Sequence, residues 1–368
     1  SGDTRRGAKK MSRFLMVDIG AGTLDILYID NESPQQYKAV VKSPVQTVAE
    51  RAAGLPGNLV VTGSEMGGGP ITEVLRERAG QAQVVMSDAA AATLSHRSER
   101  IRDWGIQVVD DAAAEELAQD SRYTHLILED LETERLRQVV TSFGVPFEFE
   151  AVAVCAQDHG VPPPGTSHLV YRHEINCTVL EREPLPHALF YRGSEVPVSL
   201  NRLRSIAASA AKLPTDEVYV MDSGMAAILG ASVDVLADSR ENVLVLDIAT
   251  SHTVGAALSG GELAGFFEYH TRDITLNRLE SLLCELADGK LSHADILKEG
   301  GHGAYVRRSI GFDAVDIILA TGPKRRLVET SRLPITFGAP WGDNMMTGTV
   351  GLLEALRRHK GLEAIVYL

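Results

Sequence analysis

The stretch FLMVDIGAGTLDILYID, residues 14–30, decides the fold of this chain. An apolar run ends on Asp18, a Gly-Ala-Gly-Thr turn follows, and a second apolar run begins at once. This order predicts a β-hairpin. Gly20 and Gly22 allow backbone with φ > 0 and a close approach to the backbone, so that the consecutive amides of the turn can bind an anion. The stretch is therefore either a plain hairpin or an anion-binding turn with a carboxylate beside it.

The same layout returns in the second half of the chain, in NVLVLDIATSHTVGAAL, residues 242–258. Asp247 takes the place of Asp18, and a second apolar run again follows the turn. Two matched strand–Asp–turn–strand units predict two related half-domains that face each other. The second turn carries Ala249 and Ser251 instead of glycines, so we expect its amides to form a poorer anion site.

Composition limits the classes of function. A chain of 368 residues favours two domains, and a net charge of −13 argues against a nucleic-acid or anionic-membrane partner. No apolar run approaches the roughly 20 residues that span a bilayer. Three cysteines without a CxxC pair indicate a reducing compartment, which predicts a cytoplasmic protein. The polar residues 1–10 are expected to be a flexible tail or a cloning remnant, with Met11 as the start.

Strand-like and helix-like segments alternate along the rest of the chain, which predicts an α/β fold. Helices are expected at 44–53 and 199–212, and a further helix follows the glycine-rich turn TGSEMGGGP. Residues 147–180 are expected to be more strand-like and to contain the loop HGVPPPG.

The two hairpins and three further stretches resemble the actin, sugar-kinase and heat-shock-chaperone ATPase superfamily. The hairpins are similar to its phosphate-1 and phosphate-2 loops. DSGMAAILGA (222–231) and TGTVGLLEAL (347–356) resemble its two connecting helices, and VDIILATGPKRRL (315–327) resembles its adenosine motif of strand, Thr-Gly turn and helix. The resemblance implies a two-lobed actin-like ATPase fold, with duplicated ribonuclease H-like domains around a nucleotide cleft.

The resemblance also implies a division of the chain. The first lobe would span 11–232, the second lobe 233–346, and residues 347–368 would return to the first lobe. The whole chain is further similar to a prokaryotic family sometimes labelled pyruvate formate-lyase activating enzyme-like, through TGSEMGGGP and CAQDHG. No function is carried over from that family.

The implied activity is Mg²⁺-dependent ATP binding, with phosphotransferase or ATPase activity on an unidentified acceptor. Asp18 and Asp247 would hold Mg²⁺ through water, since Mg²⁺ keeps several waters and takes one or two carboxylates. His252 would contact a phosphate or act as an acid or base, or it is a plain strand residue. Asp25 either touches the site or is a polar strand residue. The nucleotide-binding candidates are Gly20, Ala21, Gly22, Thr23, Thr250, Ser251, Thr321, Gly322, Pro323 and Lys324.

Three polar or glycine-rich stretches are candidates for the acceptor site. GGGP precedes a helix with Pro70 near its first position, so its free amides would face an anion. CAQDHG lies at a strand end, where α/β folds often place sites, and KEGGHG carries a histidine between glycines. Each is otherwise a structural turn. The substrate candidates are Glu65, Gly68, Gly69, Gln157, Asp158, His159 and His302.

The second function considered is a non-catalytic or switching protein that closes on a ligand, or an ATP-dependent activator of a partner enzyme. Whether the chain is an ATPase, a small-molecule kinase or no enzyme stays open at this point, as does a homodimer. The separation of Cys155 and Cys177 argues against an iron–sulfur cluster. The acceptor, whether small molecule or protein, carries no pattern that the sequence identifies.

Overall fold

The computed structural model describes residues 13–30 and 35–364, so the tail predicted at 1–10 lies outside the described residues. In chain order, strands β1 to β16 are Arg13–Ile19, Thr23–Asp30, Gln36–Lys42, Asn58–Gly63, Val84–Ser87, Gln107–Val109, Tyr123–Leu128, Phe149–Ala156, Phe190–Arg192, Thr215–Asp222, Asn242–Ile248, His252–Ser259, Glu262–His270, Gly303–Val306, Ile317–Thr321 and Ile335–Phe337. Helices α1 to α12 are Pro44–Gly54, Pro70–Ala79, Asp88–Ala91, Ser98–Asp103, Asp111–Leu117, Thr133–Ser142, His168–Arg182, Asn201–Ala210, Ser223–Ser232, Leu276–Ala287, His293–Lys298 and Thr347–Lys360. No helix in this part of the chain is long and apolar enough to cross a membrane.

Two of the sheets repeat one topology. The first has the order β3-β2-β1-β8-β10-β9 and the second β14-β13-β12-β11-β15-β16. In each, three antiparallel strands are followed by two strands parallel to the first, and one short strand is added at an edge. The predicted two-lobed α/β fold with duplicated ribonuclease H-like halves is therefore confirmed.

Strand β1 shows why an apolar run forms the centre of a lobe. Phe14 and Met16 point into a core that also contains Val243 and Val245 of the second lobe. Leu15 and Val17 point to the opposite face, into a core of the first lobe alone. Because successive side chains alternate between faces, a strand covered on both sides must be apolar at every position.

Helices α9 and α12 cross in the core between the two sheets. A Cβ atom built on Gly230 would lie 1.8 Å from the carbonyl oxygen of Thr347, and one on Gly351 would lie 1.8 Å from that of Ala226. The helices can approach this closely only because both positions are glycine. These helices are the two stretches that resemble connecting helices in the sequence.

A third sheet, not predicted from the sequence, interrupts the first lobe between β3 and β8. Its four strands are all parallel, in the order β6-β5-β4-β7, and it has its own apolar core. The lobe boundaries at 232/233 and 346/347 stay a proposal. We assign α12 to the first lobe because it packs on β1 and β8.

Two local predictions are wrong. Within 147–180, β8 is a strand as expected, but α7 is a helix. Arg172, Asn176 and Leu180 are its buried residues, and their four-residue spacing places them on one helical face despite the β-branched residues around them. After the Thr-Gly turn, the helix expected in 315–327 is only a single 3₁₀ turn, Arg325–Val328.

Candidate functional site

A cavity of about 690 Å³ opens between the two Asp hairpins and extends to the inserted sheet. It brings together most of the residues singled out in the sequence. Those lining it are Asp18, Gly20, Ala21, Gly22, Thr23, Glu65, Gly68, Gly69, Gln157, His159, Asp247, Thr250, Ser251, His252, His302, Gly322 and Pro323. Thr321, Lys324 and Asp158 are not part of its wall.

The two hairpin turns are closed by the same hydrogen bond. In the first, the Gly20 amide donates to the Thr23 carbonyl over 2.9 Å. In the second, the Ala249 amide donates to the His252 carbonyl over 3.0 Å. The replacement of glycine by Ala249 therefore leaves this closing hydrogen bond in place, and the poorer anion site expected at the second turn stays a prediction.

Ser43, directly after β3, and Thr271, directly after β13, each hold the hairpin turn of their lobe through two hydrogen bonds. We call these two residues the hydroxyl braces. The Ser43 amide donates to the Gly22 carbonyl (3.0 Å), and its hydroxyl donates to the Gly20 carbonyl (2.6 Å). In the second turn, the Thr271 amide donates to the Ser251 carbonyl (2.8 Å), and the Thr271 hydroxyl donates to the Ala249 carbonyl (2.8 Å). Sequence reasoning missed both braces, although each directly follows a strand that ends beside its hairpin.

The glycines of the first turn have a different role from the one predicted. Neither Gly20 nor Gly22 has a positive φ, so the turn needs no left-handed residue. A Cβ atom on Gly22 would lie 3.2 Å from Cγ2 of Thr250, because the two turns touch across the cleft. Gly22 therefore permits close approach of the lobes. No described residue accepts a hydrogen bond from the Ala21 or Gly22 amide, so both remain available to a ligand.

Three carboxylates meet in the cleft between these turns. Asp25 lies opposite Asp18 in the β1–β2 hairpin and is only 7% exposed, with one carboxylate oxygen that has no hydrogen-bond partner. Burial raises its pKa to about 8, and the negative charge of Asp18 adds to the shift. Burial likewise raises the pKa of Asp247 to about 6.

Asp18 and Asp247 have equivalent surroundings. Burial raises the pKa of Asp18 to about 6, a hydrogen bond from Cys155 opposes the shift, and the charge of Asp247 adds to it. Cys155 lies beside Asp18 on the neighbouring parallel strand, and Thr321 lies beside Asp247 in the same way. The Thr321 hydroxyl donates to Asp247 over 2.9 Å. Thr321 thus positions Asp247 from behind the cavity wall.

This set of groups fits a divalent cation. None of the groups that shift the pKa of Asp18, Asp25 or Asp247 is a lysine or an arginine. Buried carboxylates without a positive neighbour favour their protonated forms, and a cation from solution would reverse that preference. Carboxylate oxygen is also the ligand type that Mg²⁺ prefers.

The stretch after β15 supports the second turn. Gly322 has φ +87°, and a Cβ there would lie 2.5 Å from the Ile248 carbonyl oxygen, so only glycine fits. The Lys324 ammonium group donates to the Thr250 carbonyl over 3.1 Å, which ties this stretch to the turn. Lys324 therefore braces the turn from outside the cavity.

Asp158 also has a structural position. Its carboxylate accepts hydrogen bonds from the amides of Gly160 (2.8 Å) and Leu203 (2.9 Å) and is only 3% exposed. It fixes the loop after β8 to α8. Asp158 is not part of the cavity wall, whereas its neighbours Gln157 and His159 are, and a role of Asp158 in binding the substrate stays a prediction.

The glycine-rich segment forms the far wall. Glu65 accepts hydrogen bonds from Asn201 and, over 3.0 Å, from His96, so this carboxylate is already partnered. A Cβ atom built on Gly68 would lie 2.8 Å from the Thr93 carbonyl oxygen, so the backbone packs closely here. Gly69, directly before α2, has φ +61°. The Gly67 amide donates to Asp130 over 3.1 Å, so it is not free in the way that the sequence predicts. Gly68 and Gly69 line the cavity, and an anion site at their amides stays a prediction.

Beside the second turn lies a group of histidines that the sequence did not connect. His252 on β12 and His270 on β13 are paired directly across the two strands. His302 lies directly before β14, the strand next to β13. The pKa of His252 is lowered to about 4, chiefly by burial, so its ring is neutral near neutral pH. Burial also lowers the pKa of His159, to about 3.

A buried ionic group stands behind these rings. Arg172 pairs with Asp222 (2.7 Å) and with Glu268, and Gln157 donates to Glu268 over 2.7 Å. The positive charge of Arg172 holds the pKa of Glu268 well below its usual range, against the effect of burial. His270, Glu268 and Arg172 were missed from the sequence, because only the strand register and the unexpected helix α7 bring them together.

Residues 66–327 match the model of a family described as "Putative pyruvate format-lyase activating enzyme (DUF1786)". No curated protein matches the sequence.

Solved structures similar to the chain include an inorganic polyphosphate/ATP-glucomannokinase from Arthrobacter sp. strain KM, with 13% identity, 95% of this chain and 100% of that chain covered, and a TM-score of 0.38. A reductive activator for corrinoid, iron-sulfur protein matches with 12% identity, 96% and 62% coverage, and a TM-score of 0.37. A ROK hexokinase from Thermus thermophilus matches with 14% identity, 95% and 99% coverage, and a TM-score of 0.31. At such values the likenesses carry no inference about ligand or activity.

Proposed function

Since this chain belongs to the DUF1786 family, and its two lobes present matched Asp hairpins to one cleft, we propose that it is a Mg²⁺-dependent ATP-binding protein with phosphotransferase or ATPase activity. The observation that carries the proposal is the duplicated site. Each lobe supplies one aspartate whose pKa is raised to about 6, one turn closed by the same hydrogen bond and one hydroxyl brace.

The residues divide into three tasks. The free amides of Ala21 and Gly22, with the hydroxyls of Thr23 and Thr250, would bind phosphate oxygens. Asp18 and Asp247 would hold Mg²⁺ through water, and the cation would neutralise charge on the transferring phosphoryl group. Gly322 and Pro323 would lie against the nucleoside, as the likeness to the adenosine motif implies.

The shape of the cleft favours positioning as the main source of catalysis. The turns meet at Gly22 and Thr250, so both lobes contact whatever lies between them and water is displaced. The cavity continues from the turns toward Glu65 and the glycine-rich segment, which leaves room for an acceptor beyond the phosphates. A small-molecule or protein acceptor would enter from that side.

The runner-up is a protein that binds nucleotide and switches between lobe arrangements without turnover. The observation that favours it is the neutral His252 ring, which takes the place that the Thr23 hydroxyl has in the first turn. Turnover of ATP with release of phosphate would support the enzyme. Saturable binding without turnover would support the switch, including the activator of a partner enzyme.

We also propose that the protein works in the cytoplasm, because all three cysteines are free. The three cysteines lie on three different elements, β8, α7 and α10. Among the described residues, none of them belongs to a group that could hold a metal ion. A homodimer remains a proposal that nucleotide-dependent sedimentation would test.

The proposal is tested by a thermal-shift screen of nucleotides with and without Mg²⁺. ATP or ADP with Mg²⁺ should raise the melting temperature, since saturation at about 100 times Kd stabilises by roughly 2.7 kcal/mol. Pyrimidine nucleotides and ATP with EDTA are the controls. If no purine nucleotide at millimolar concentration shifts the transition, the cleft is not a nucleotide site.

A further inference from the structure

We propose that His252, His270 and His302 form a binding site for a divalent transition metal, Zn²⁺ in the first place, in the wall of the cleft. One ring nitrogen of each lies within 4.8 Å of the other two. The site is separate from the carboxylates proposed for Mg²⁺ and does not depend on nucleotide binding.

The strand register creates the group. His252 begins β12 and is the direct partner of His270, which ends β13. The amide of His302 donates to the Glu268 carbonyl over 2.8 Å, two residues before His270 on the same strand. Three neighbouring strands therefore deliver three imidazoles to one point, with ring centroids 4.2–4.9 Å apart.

Two of the three rings carry buried nitrogens without a hydrogen-bond partner. Nε2 of His252 and both ring nitrogens of His302 are buried without a hydrogen-bond partner, and His302 is only 3% exposed. A buried polar atom without a partner is destabilising. A metal ion would bind one unprotonated nitrogen of each ring, with Nε2 of His302 as its ligand and the Nδ1–H of His302 left facing Glu268.

The surroundings favour a cation held by neutral imidazoles. Glu268 lies 3.5 Å from Nδ1 of His302, the position of the carboxylate that commonly orients a metal-bound histidine. Glu268 and Asp222 carry two negative charges against the single positive charge of Arg172. The charge behind the rings is therefore net negative.

Ligand chemistry selects the metal. Imidazole suits Zn²⁺, Cu²⁺, Ni²⁺ and Fe²⁺, whereas Mg²⁺ and Ca²⁺ prefer oxygen. A Zn–N bond of about 2.1 Å places tetrahedral ligand atoms ~3.4 Å apart, so the ring nitrogens would move closer by at most ~1.4 Å on binding. Three protein ligands leave one position open toward the cavity, for water or an oxyanion such as the phosphate or carboxylate of an acceptor.

Metal binding is measured on the full chain, free of any histidine tag and stripped with a chelator. We expect equilibrium dialysis to give one Zn²⁺ per chain, and Co²⁺ to give the visible d–d bands of a tetrahedral site that Zn²⁺ then displaces. His270→Gln is the main variant because this ring is partly exposed, so the fold should survive. It should lose affinity by more than the ~10–100-fold that loss of an outer-shell partner causes.

His359→Gln, at an exposed position on α12, is the matched control and should bind Zn²⁺ as the unmodified chain does. A stoichiometry near zero in the unmodified chain, or equal affinity in folded His270→Gln, would overturn the site. Inorganic phosphate should change the Co²⁺ spectrum, and an unchanged spectrum would refute the open position.

The nucleotide proposal fails independently of this site. Chelator-stripped protein that is reloaded with Mg²⁺ alone should still bind ATP if the nucleotide proposal holds. Normal Zn²⁺ binding without any ATP binding would remove the nucleotide proposal and leave the histidine site intact.

Discussion

Replacement of Asp25 by asparagine should change how stability depends on pH. The native pKa of Asp25 is about 8, against an ordinary value of 3.8, because the carboxyl is buried beside Asp18. Between these values the native state keeps the proton and the unfolded chain does not. Unfolding then releases one proton, so the free energy of unfolding falls as pH rises through this window.

The magnitude follows from that single proton. One proton corresponds to about 1.4 kcal/mol per pH unit, so Asp25→Asn should gain about 3 kcal/mol relative to the unmodified chain between pH 5 and pH 7. Asparagine has the same shape, donates and accepts hydrogen bonds, and does not titrate, so packing is preserved. The sign is stabilising, and it grows with pH.

The assay is urea unfolding at pH 5, 6 and 7 in the presence of EDTA, with circular dichroism as the signal. Asp313→Asn, at an exposed position outside the cleft, is the matched control and should leave the pH slope unchanged. Parallel pH dependences for Asp25→Asn and the unmodified chain would refute a protonated carboxyl at this position.

Three other changes test the cleft and the fold. Asp18→Asn and Asp247→Asn should each weaken the Mg²⁺ dependence of ATP binding, measured by calorimetry, and a change in only one would contradict a cation shared by both lobes. Gly22→Val should abolish the nucleotide-induced thermal shift while most of the stability of the free protein remains, because the new side chain separates the touching turns; an undiminished shift in a folded variant would exclude this turn as the phosphate cradle. Gly351→Ala should lower the free energy of unfolding by about 1–3 kcal/mol or more, because the added Cβ would clash between α9 and α12. Gly54→Ala is the control and should not lower it, since no atom lies within 4 Å of a Cβ built there. Equal stability of the two variants would show that the helix crossing is not tightly packed.

The sequence predicts the fold well where one strand pattern is repeated. The Asp18 and Asp247 hairpins are recognisable because each joins two buried strands through a short turn, and both lie where the local pattern places them. The third sheet could not be predicted, because alternating strands and helices do not show which sheet a strand joins. That choice depends on distant pairing, such as β4 with β7.

The sequence predicts many residues of the cleft wall, but not the hydrogen bonds and side-chain pairings that organise it. The hairpin residues follow directly from the chain, whereas the Ser43 and Thr271 braces are ordinary strand-end residues whose bonds appear only in three dimensions. His270 is likewise unremarkable in sequence and gains meaning only opposite His252. The positive φ expected at Gly22 was wrong because the need for glycine comes from the other lobe.

The most direct test of the proposed function is a calorimetric titration of ATP into the full chain, once with Mg²⁺ and once with EDTA. We expect saturable binding of one ATP per chain with Mg²⁺, and binding at least tenfold weaker with EDTA, since Asp18 and Asp247 carry no other counter-charge. Absence of heat in both titrations, with a folded protein and millimolar ATP, would contradict a nucleotide site between the two lobes.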